Sequence, residues 1–589
     1  METPKKRLNI IKQQLDNHVP KHSWFKKDGW GYQDTKFKIN NQGLIEITGD
    51  RYLYSGKTLP SFAKWIQDVV GVDFSDHTPT QTHVQVPPPR NNQEFLQRVQ
   101  EFCVVATEDD TERAFHSHGH SLQEMFILKF GRFERAVDVV VYPGCEEHVK
   151  GLVNLANELN VVLIPYGGGT NVTQALLLDS SEERTVCSVD MSKMNHVREV
   201  NLESRIAVVE CGISGKELEE ELSKYGMCCG HEPDSVEFST LGGWISTRAS
   251  GMKKNVYGNI DDIVITVRIV TPTGIWEKPC KGPRTSTGPD INHFIMGHEG
   301  LFGILTQASI KVKPLPETKV YDSIVFPNFD HGSKFMYECG INYVRPASIR
   351  LVDNLQFQFA IALKPAQDSQ FKAFIDSVKK YFVTNIKGFD PHQMCACTLV
   401  YEGSKDQVEL QQKQVNYYAS KNRGMRAGPE NGIRGYFLTF MIAYIRDFGM
   451  EYNLVAESFE ASVPWDKLKL LLTSVPKRVE AACSGRGIKK KPFVSSRITQ
   501  LYDTGACVYI YFAFFYRGME DPVKAYSEIE EEARREIMKC GGSLSHHHGV
   551  GKLRKEFMHE AVGEPALSML RALKQQVDPK NIFATRNLI

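Results

Sequence analysis

The chain has 589 residues, of which 71 are Lys or Arg and 70 are Asp or Glu, giving a formal charge of +1. Its length suggests two to four domains or one domain with large insertions, and the balanced charge excludes a global attraction to nucleic acid. The 13 cysteines are scattered without C-x-x-C spacing, which is typical of a reduced intracellular compartment. No signal peptide and no apolar run of about 18 residues occurs, so neither secretion nor a membrane span is predicted.

The first 90 residues form a predicted N-terminal extension that ends in Val86–Pro89, a stiff linker. At residues 7–15, five residues separate Arg7-Leu8 from Gln14-Leu15, which fits the type-2 peroxisomal import signal. The pattern is short, and an ordinary solvated basic helix is the alternative. Residues 91–132 are predicted to be a connecting helical segment.

A β-α-β unit opens a predicted domain at 133–316. The β-branched run Ala136–Pro143 predicts a strand, and the apolar period from Val149 to Leu159 predicts a helix. A second strand, Val161–Pro165, leads directly into Pro165-Tyr-Gly-Gly-Gly-Thr-Asn171. Three successive glycines let backbone N–H groups approach an anion, so the loop suits a diphosphate; a simple tight turn is the alternative.

The rest of the chain continues the mixed pattern. Predicted strands are Val186–Val189, Arg205–Cys211 and Ile263–Thr271, and Ser214–Lys224 is a predicted helix. Residues 317–560 are predicted to form a second α/β domain, and residues 561–589 a C-terminal segment that closes on the first domain. The apolar runs Tyr436–Ile445 and Cys507–Tyr516 are predicted to be core elements or walls of an apolar tunnel.

The stretch His116-Ser-His-Gly-His120 has a spacing that would place three imidazoles on one face of a strand, where they could bind zinc. It lies in a loop-like context, and no Cys or acidic residue stands nearby at ligand spacing. A plain loop is therefore the preferred interpretation.

Three later segments, with the glycine loop, resemble the flavin domain of the vanillyl-alcohol-oxidase type FAD flavoproteins in order and separation. They are Asp234–Gly251, Tyr257–Asp262 and Gly297–Thr306. The resemblance implies an α+β fold with a two-subdomain FAD-binding domain, an α/β cap (substrate) domain and the N-terminal extension. It also implies that the glycine loop holds the FAD diphosphate and that the Glu-Gly-x-x-Gly segment touches the adenosine half.

Covalent members of that family carry a His in or near the first loop, where this chain has Gly169-Thr170, so FAD is predicted to be bound non-covalently. The predicted cofactor-binding residues are Pro165, Tyr166, Gly167, Gly168, Gly169, Thr170, Asn171, Asp234, Ser235, Ser239, Thr240, Gly242, Gly243, Thr247, Ser250, Glu299, Gly300, Gly303 and Ile304.

The fold does not fix the reaction, because this family hosts many. The 2-hydroxy-acid dehydrogenase branch carries Gly-Asp-Gly-Asn-x-His and then Glu-His-Gly-Ile-Gly, which supply a metal site. In this chain His547 stands where that Glu would be, and Gly505–Phe514 contains neither Asp nor His. No metal is therefore predicted.

Nearly the whole chain resembles the alkyldihydroxyacetonephosphate (alkylglycerone-phosphate) synthase family, the peroxisomal enzymes that make the ether bond of ether lipids and plasmalogens. The matching stretches are Gly29–Asp34, Arg345–Asp353, Cys507–Phe514, Ser543–Lys555 and Asp578–Phe583. The resemblance implies a redox-neutral, FAD-dependent exchange of the fatty acid of acyl-dihydroxyacetonephosphate for a long-chain fatty alcohol, through a flavin N5 adduct.

The resemblance also implies roles for single residues. Arg446 matches the position that binds the substrate phosphate, although a salt-bridge role is the alternative. Tyr509 matches the acid/base residue, but from the residues alone it cannot be told from Tyr511. Arg350 matches an arginine needed for activity, either near the flavin or at the domain interface. The predicted catalytic set is Tyr509, His546, His547, His548 and Arg350.

Successive residues of an extended segment point to opposite sides, so at most two of the three histidines can share a face. The absence of an acidic partner weakens metal ligation. Because imidazoles titrate near neutrality and hydrogen-bond hydroxyls and carboxylates, the triplet is interpreted as a wall of the flavin site that moves protons. Lys552 and Arg554 add positive potential.

The resemblance favours the import signal, and it implies a peroxisomal, lumenal protein that contacts the membrane peripherally and forms a homodimer. Its partners would be acyl-dihydroxyacetonephosphate and a fatty alcohol, without nucleic acid. The alternatives are an FAD-linked 2-hydroxy-acid or phenol oxidoreductase and an inactive flavin-binding scaffold.

Overall fold

A computed structural model of the chain describes residues 24–103, 105–366 and 381–589. The predicted import signal at 7–15 lies outside these residues. Within the described ranges, no helix is long and apolar enough to cross a membrane.

The N-terminal extension contains a small three-stranded antiparallel sheet followed by a helix. Its elements are β1 (Phe37–Ile39), β2 (Ile45–Ile47), β3 (Thr58–Leu59) and α1 (Phe62–Val70). The buried side chains of this unit share one apolar core with Tyr444, Phe448 and Leu454. The extension therefore packs on the second large domain.

The first subdomain of the flavin domain is a four-stranded sheet in the order β4-β5-β7-β6. Its elements, with the preceding helices, are α2 (Gln93–Phe102), β4 (Val105–Thr107), α3 (Asp110–Phe115), α4 (Leu122–Phe130), β5 (Val139–Tyr142), α5 (Glu146–Leu159), β6 (Val162–Tyr166) and β7 (Val186–Asp190). The predicted β-α-β unit is confirmed. Segment 91–132 is not only helical, since Val105 pairs with Tyr142 and adds a strand to this sheet.

The second subdomain has a five-stranded antiparallel sheet in the order β12-β11-β13-β9-β8. Its elements are β8 (Val197–Asn201), β9 (Ile206–Glu210), α6 (Gly215–Ser223), β10 (Met227–Cys228), α7 (Leu241–Thr247), α8 (Lys254–Tyr257), α9 (Ile260–Ile263), β11 (Val264–Thr271), β12 (Gly274–Glu277), α10 (Asn292–Ile295), β13 (Ile304–Lys311) and β14 (Lys313–Pro314). The helix predicted at Ser214–Lys224 is confirmed, and Ser214 caps it with Glu217 in a capping box.

The cap domain is built on a seven-stranded antiparallel sheet in the order β18-β15-β17-β16-β20-β21-β19. Its elements are β15 (Thr318–Phe326), α11 (Phe329–Ile341), β16 (Ser348–Val352), α12 (Asn354–Ala362), β17 (Cys395–Gly403), α13 (Lys405–Lys421), β18 (Met425–Arg426), α14 (Pro429–Phe437), α15 (Ile442–Met450), β19 (Leu454–Pro464), α16 (Trp465–Gly485), β20 (Phe493–Leu501), β21 (Gly505–Phe515) and α17 (Pro522–Lys539). Of the two apolar runs, 436–445 is helical and 507–516 is mostly strand.

The C-terminal segment returns to the flavin domain after α18 (Met558–Val577). Ile582 and Phe583 are fully buried in the core of the four-stranded sheet. The backbone N–H of Leu163 on β6 donates a hydrogen bond to the carbonyl of Ile582. The end of the chain thus covers the strand that leads into the glycine loop.

One face of the cap sheet carries the polar side chains that matter most for the site. Across β16, β20, β21 and β19, the directly paired residues are Val352, Arg497, Tyr509 and Glu460. Directly paired residues of antiparallel strands project to the same face, and Arg350 joins that face because it precedes Val352 by two. Strand register therefore places two arginines, a tyrosine and a glutamate side by side.

Candidate active site

A cavity of about 460 Å³ lies between the flavin domain and the cap sheet. Every predicted FAD-binding residue lines it, from the glycine loop to the segment around Glu299. Tyr509, His547, His548, Arg350 and Arg446 line it as well, whereas His546 does not. The cavity thus brings the predicted cofactor and catalytic residues together, with one histidine behind its wall.

The glycine loop fits an anionic group. A side chain at Gly168 would overlap the carbonyl oxygen of Phe238, and Gly169 has the left-handed φ of 65° that favours glycine. In the described part of the chain, no protein acceptor receives a hydrogen bond from the N–H groups of Gly168, Gly169 or Thr170. These donors are suited to the diphosphate of a dinucleotide.

The three histidines are held by one buried carboxylate, Glu460, which is fully inaccessible to solvent. Its oxygens accept hydrogen bonds from the backbone N–H groups of His546, His547 and His548 at 2.8, 3.3 and 2.7 Å. The Ser545 hydroxyl adds another at 2.9 Å. No acidic partner of the triplet is apparent in the sequence, but the structure supplies one, Glu460, from strand β19.

Hydrogen bonds link the imidazoles to two tyrosines. The Tyr509 hydroxyl lies 2.6 Å from His547 Nε2 and 3.3 Å from His548 Nε2. His547 Nδ1 lies 2.7 Å from His546 Nδ1, and His546 Nε2 lies 2.6 Å from the Tyr502 hydroxyl. Tyr511 also lines the cavity, stacked on Tyr509, but the histidines contact Tyr509. This geometry separates the two tyrosines that the sequence could not.

The expectation that the histidines titrate near neutrality is wrong for this site. Burial lowers the pKa of His546 and His547 to about 3, and that of His548 to about 4. At pH 7 all three rings are therefore neutral, each with one N–H donor and one acceptor nitrogen. Neutral rings can accept a proton from a hydroxyl.

Cys507 lies beside the triplet, and its sulfur and one nitrogen each of His546 and His547 lie within 4.8 Å of one another. The ring nitrogens are already engaged with Tyr502, with Tyr509 and with each other. These contacts favour a hydrogen-bonded cluster over a set of metal ligands.

Residues 545–551, which carry the three histidines, form a segment that we call the histidine loop. Glu460 holds the start of this loop, and Glu299 holds its end. The Glu299 carboxylate accepts hydrogen bonds from the backbone N–H groups of Val550 and Gly551 at 2.6 and 2.7 Å. Burial raises the pKa of Glu299 to about 7. The predicted contact with the adenosine half of FAD is therefore assigned to other groups of the Glu-Gly-x-x-Gly segment, because the Glu299 carboxylate already accepts hydrogen bonds from the loop.

Three buried arginines line the cavity, but their charges are compensated differently. Arg446 pairs with Glu457 at 2.9 Å and with Asp447 at 3.1 Å, so two carboxylates offset its charge. Among the described residues, the Nη2 group of Arg350 and the Nε group of Arg497 have no hydrogen-bond partner. The nearest carboxylate to Arg497 is Asp234, at 3.7 Å.

In the H-x-H-x-H stretch, His116 and His118 are buried and His120 is half-buried, and the three do not form a joint metal cluster among the described residues. His116 Nε2 lies 2.9 Å from Asp190, an acidic partner that is distant in sequence. His120 lines the cavity, and its Nδ1 lies 3.0 Å from the carbonyl of Gly169. The backbone carbonyl of His120 accepts from Arg446 at 2.8 Å. The stretch thus supports the glycine loop and Arg446.

The N-terminal extension also contributes to the wall. Trp30 lines the cavity, and its backbone N–H donates to Asp447 at 2.7 Å. A side chain at Gly31, which has φ of 83°, would overlap the Tyr444 hydroxyl. The glycines of the Gly29–Asp34 stretch therefore allow close packing on α15, where Arg446 lies.

The far part of the cavity is apolar. Residues from five elements line it: Trp65, Ile66 and Val70 of α1, Phe359 of α12, Ile442 and Ile445 of α15, Phe493 of β20 and Ala513 of β21. Parts of both apolar runs thus face the cavity, while Val508, Ile510 and Phe512 are buried in the core. Each run therefore supplies some residues to the core and others to the cavity wall, which are the two roles predicted for them.

Comparisons with known proteins identify the family. Residues 137–278 match the model described as FAD binding domain, and residues 315–588 match FAD linked oxidases, C-terminal domain. An alkyldihydroxyacetonephosphate synthase of Caenorhabditis elegans is 43% identical over 582 residues, covering 98% of each chain. That of Dictyostelium discoideum is 33% identical over 592 residues, covering 98% of this chain and 95% of its own. A solved alkyldihydroxyacetonephosphate synthase structure has 32% identity and a TM-score of 0.84, covering 96% of this chain and 99% of its own. The chain belongs to the alkyldihydroxyacetonephosphate synthase family.

Membership of the synthase family fixes the cofactor and the fold. The cofactor is FAD, in agreement with both family models and with the unengaged donors of the glycine loop. The α+β fold, with a flavin domain of the vanillyl-alcohol-oxidase type and a cap domain, is confirmed.

The predicted site residues of this synthase-family chain do not include Glu460, Arg497 or Tyr502. His120 and Trp30 stand in stretches that the sequence singles out, but for other reasons than a place in this cavity. Glu460 and Arg497 had a signal, since each is a charged residue inside an otherwise half-apolar strand. A buried charge requires a partner, so such positions are worth examining. Tyr502 had no local signal.

Proposed function

We propose that this protein exchanges the fatty acid of acyl-dihydroxyacetonephosphate for a long-chain fatty alcohol, without net redox change. The observation that carries the proposal is the composition of one cavity. It combines the glycine loop, three arginines, the tyrosine–histidine cluster and an apolar region. These parts suit a flavin, an anionic headgroup, a proton transfer and an alkyl chain, respectively.

FAD, when bound, supplies the nucleophilic centre for the exchange. The protein supplies proton transfer, for which Tyr509 lines the cavity within hydrogen-bond distance of the neutral imidazoles of His547 and His548. His547 Nε2 accepts from the Tyr509 hydroxyl, which can then take the proton of the incoming alcohol. This arrangement makes the alcohol oxygen more nucleophilic without placing a charged base in the cavity.

The buried arginines of the cavity are assigned to binding the phosphate and carboxylate groups of the substrate. A phosphate or carboxylate is best held by buried guanidinium groups that still have free N–H donors. Arg350 and Arg497 meet that condition, and we add Arg497 to the predicted pair of Arg350 and Arg446. Arg446, already offset by two carboxylates, contributes less net charge.

Incorporation of labelled hexadecanol into an ether product by the purified holoenzyme tests the proposal. Tyr509→Phe should bind FAD normally and lose most of the product. A protein that binds FAD and forms no ether would contradict the assignment. In that case lasting anaerobic bleaching of the flavin by a 2-hydroxy acid or phenol would favour an oxidoreductase.

We further propose that the protein works as a homodimer in the peroxisome lumen, in peripheral contact with the membrane and in the pathway to plasmalogens. The motif at residues 7–15 supports the location, and the bilayer partitioning of the substrates supports the membrane contact. Import of a reporter fused to the first 30 residues, with Arg7→Ala as control, tests the location. Liposome flotation tests membrane contact, and sedimentation tests the dimer; a protein that stays in solution or sediments as a monomer would refute the respective part.

A further inference from the structure

The proposed exchange must export a proton. The alcohol O–H bond breaks, the new carbon–oxygen bond forms at its oxygen, and the fatty acid leaves with the electron pair of the broken ester C–O bond. Carboxylic acids are ionised at pH 7, so one proton per turnover is left over. The reacting hydroxyl lies in a cavity between two domains, and this proton needs a path to solvent.

We propose that Tyr509, His547, His546 and Tyr502 form a hydrogen-bonded chain that carries this proton from the cavity to the surface. The inference rests on the proposed function. It assigns roles to Tyr502 and to His546, the one histidine of the triplet that does not line the cavity.

The geometry of the chain is continuous. Its three links, Tyr509 to His547, His547 to His546 and His546 to Tyr502, measure 2.6, 2.7 and 2.6 Å. These lengths lie at or below the mode for hydrogen bonds, so no link requires a bridging water. Glu460 fixes the backbone N–H groups of both histidines, which keeps the rings in register.

With one choice of histidine tautomers, every hydrogen bond of the chain is donated in the direction from Tyr509 to Tyr502. With the proton on Nδ1, His547 accepts at Nε2 from Tyr509 and donates to His546 Nδ1. With the proton on Nε2, His546 then donates to the Tyr502 oxygen. Both rings stay neutral in this arrangement, consistent with the lowered pKa values that burial gives them. A proton entering at Tyr509 therefore releases one at Tyr502.

The hydrogen-bonded chain ends at a residue that is partly exposed and stands next to exposed neighbours. Tyr502 is half-buried, and the next residues, Asp503 and Thr504, are exposed. The Tyr502 hydroxyl donates to Gln500 at 3.2 Å. The Lys254 ammonium lies 3.5 Å from the centre of the Tyr502 ring, and burial lowers its pKa to about 8. Its charge stabilises electron density on this ring when the hydroxyl gives up its proton.

The test uses the Tyr502→Phe holoenzyme, which keeps the ring over Lys254 and removes only the hydroxyl. We expect kcat to fall about 100-fold, at the lower end of the range for a lost proton-transfer group, with unchanged FAD content and KM within about twofold. Small imidazole buffers should restore kcat by taking the proton from His546, and the solvent deuterium isotope effect should increase. Tyr516→Phe, which removes a hydroxyl bonded to the Met450 carbonyl outside the chain, should behave as wild type.

A wild-type kcat in Tyr502→Phe, or a loss that buffer does not restore, would overturn the proposal. A neutron structure of the deuterated holoenzyme gives a readout that needs no turnover. A deuteron between the two Nδ1 atoms supports the chain, and its absence, or a metal ion there, refutes it. A wild-type enzyme without ether product would instead refute the proposed function, and the neutron result would still decide whether the chain exists.

Discussion

At the scale of single residues, Glu460 decides where the three imidazoles lie. It accepts four hydrogen bonds from Ser545 and the three histidines and lies 3.6 Å from the buried Arg554. These contacts and Arg554 stabilise its ionised form, so the pKa of Glu460 lies well below its usual value in spite of burial. The carboxylate is thus a fixed negative centre around which the loop folds.

We predict that Glu460→Gln lowers the free energy of unfolding by about 3–5 kcal/mol, because it leaves Arg554 buried without its partner. Activity should fall at least about tenfold, since an amide cannot accept all the loop donors. Urea denaturation and product formation measure the two effects. The double variant Glu460→Gln/Arg554→Met should recover stability but not activity; a single variant as stable as wild type would contradict the prediction.

Arg497 belongs to the same scale. We predict that Arg497→Gln weakens binding of inorganic phosphate or raises the KM for the acyl substrate by about 10- to 100-fold, as expected for hydrogen bonds to a charged group. Perturbation of the flavin absorbance reports phosphate binding. Arg497→Lys should be intermediate, because it retains charge but not the planar fork. Arg478→Gln, at an exposed pair with Glu532, is the control, and an equal loss in that variant would count against a specific anion site.

At the scale of elements, the histidine loop is attached by hydrogen bonds to both the cap domain and the flavin domain. Glu460 on β19 of the cap holds its start, and Glu299 before β13 of the flavin domain holds its end. Gly551 has φ of 56° and packs against the Thr173 backbone so closely that a side chain would overlap it. The loop therefore depends on the relative position of the two domains.

The pKa of Glu299 gives this element a pH dependence. The folded value, about 7, exceeds the ordinary value of 4.5, so the folded state binds a proton that the unfolded state releases. This stabilisation is complete below pH 4.5 and is lost as pH rises through 7. We predict a loss of about 2.5 kcal/mol from this group between pH 5 and 8. Urea unfolding of wild type and Glu299→Gln measures it, since the variant should show the flatter pH profile; parallel profiles would refute the assignment.

The same elements show how far sequence reasoning reaches. The β-α-β unit and the glycine loop are predictable, because each follows from local periodicity and composition between Ala136 and Asn171. The form of the histidine loop is not, since its two carboxylate partners lie 86 and 251 residues away along the chain. Whether Tyr509 or Tyr511 contacts the histidines also depends on strand pairing, which the local sequence does not determine. Family resemblance supplied the residues, and only the fold shows their connections.

At the scale of the whole molecule, three parts share one cavity. The flavin domain contributes the glycine loop, and the extension contributes Trp30 and helix α1. The cap contributes Arg350, Arg497 and Tyr509 from one face of its sheet. Trp65 of α1 packs on Phe359 and Phe493 with ring centroids 5.4 and 6.0 Å apart. This aromatic group closes the apolar region from the side of the extension.

We predict that Trp65→Ala changes chain-length selectivity. Removing the indole lengthens the apolar region, so the ratio of kcat/KM for octadecanol over hexadecanol should rise about 3- to 10-fold, given roughly 0.8 kcal/mol per buried methylene. Competition between the two alcohols in one reaction measures the ratio directly. Trp24→Ala, at a side chain that is 64% exposed, is the matched control. An unchanged ratio in Trp65→Ala would place the alkyl chain elsewhere.

The contact between Trp30 and Asp447 limits where the chain can be cut without opening the cavity. Among the described residues, Trp30 is the first along the chain that lines the cavity. A cut at the exposed Pro88 would leave Trp30 and α1 attached to Asp447 and the apolar region by noncovalent contacts alone. The completeness of the cavity therefore depends on the peptide link between the extension and the rest of the chain.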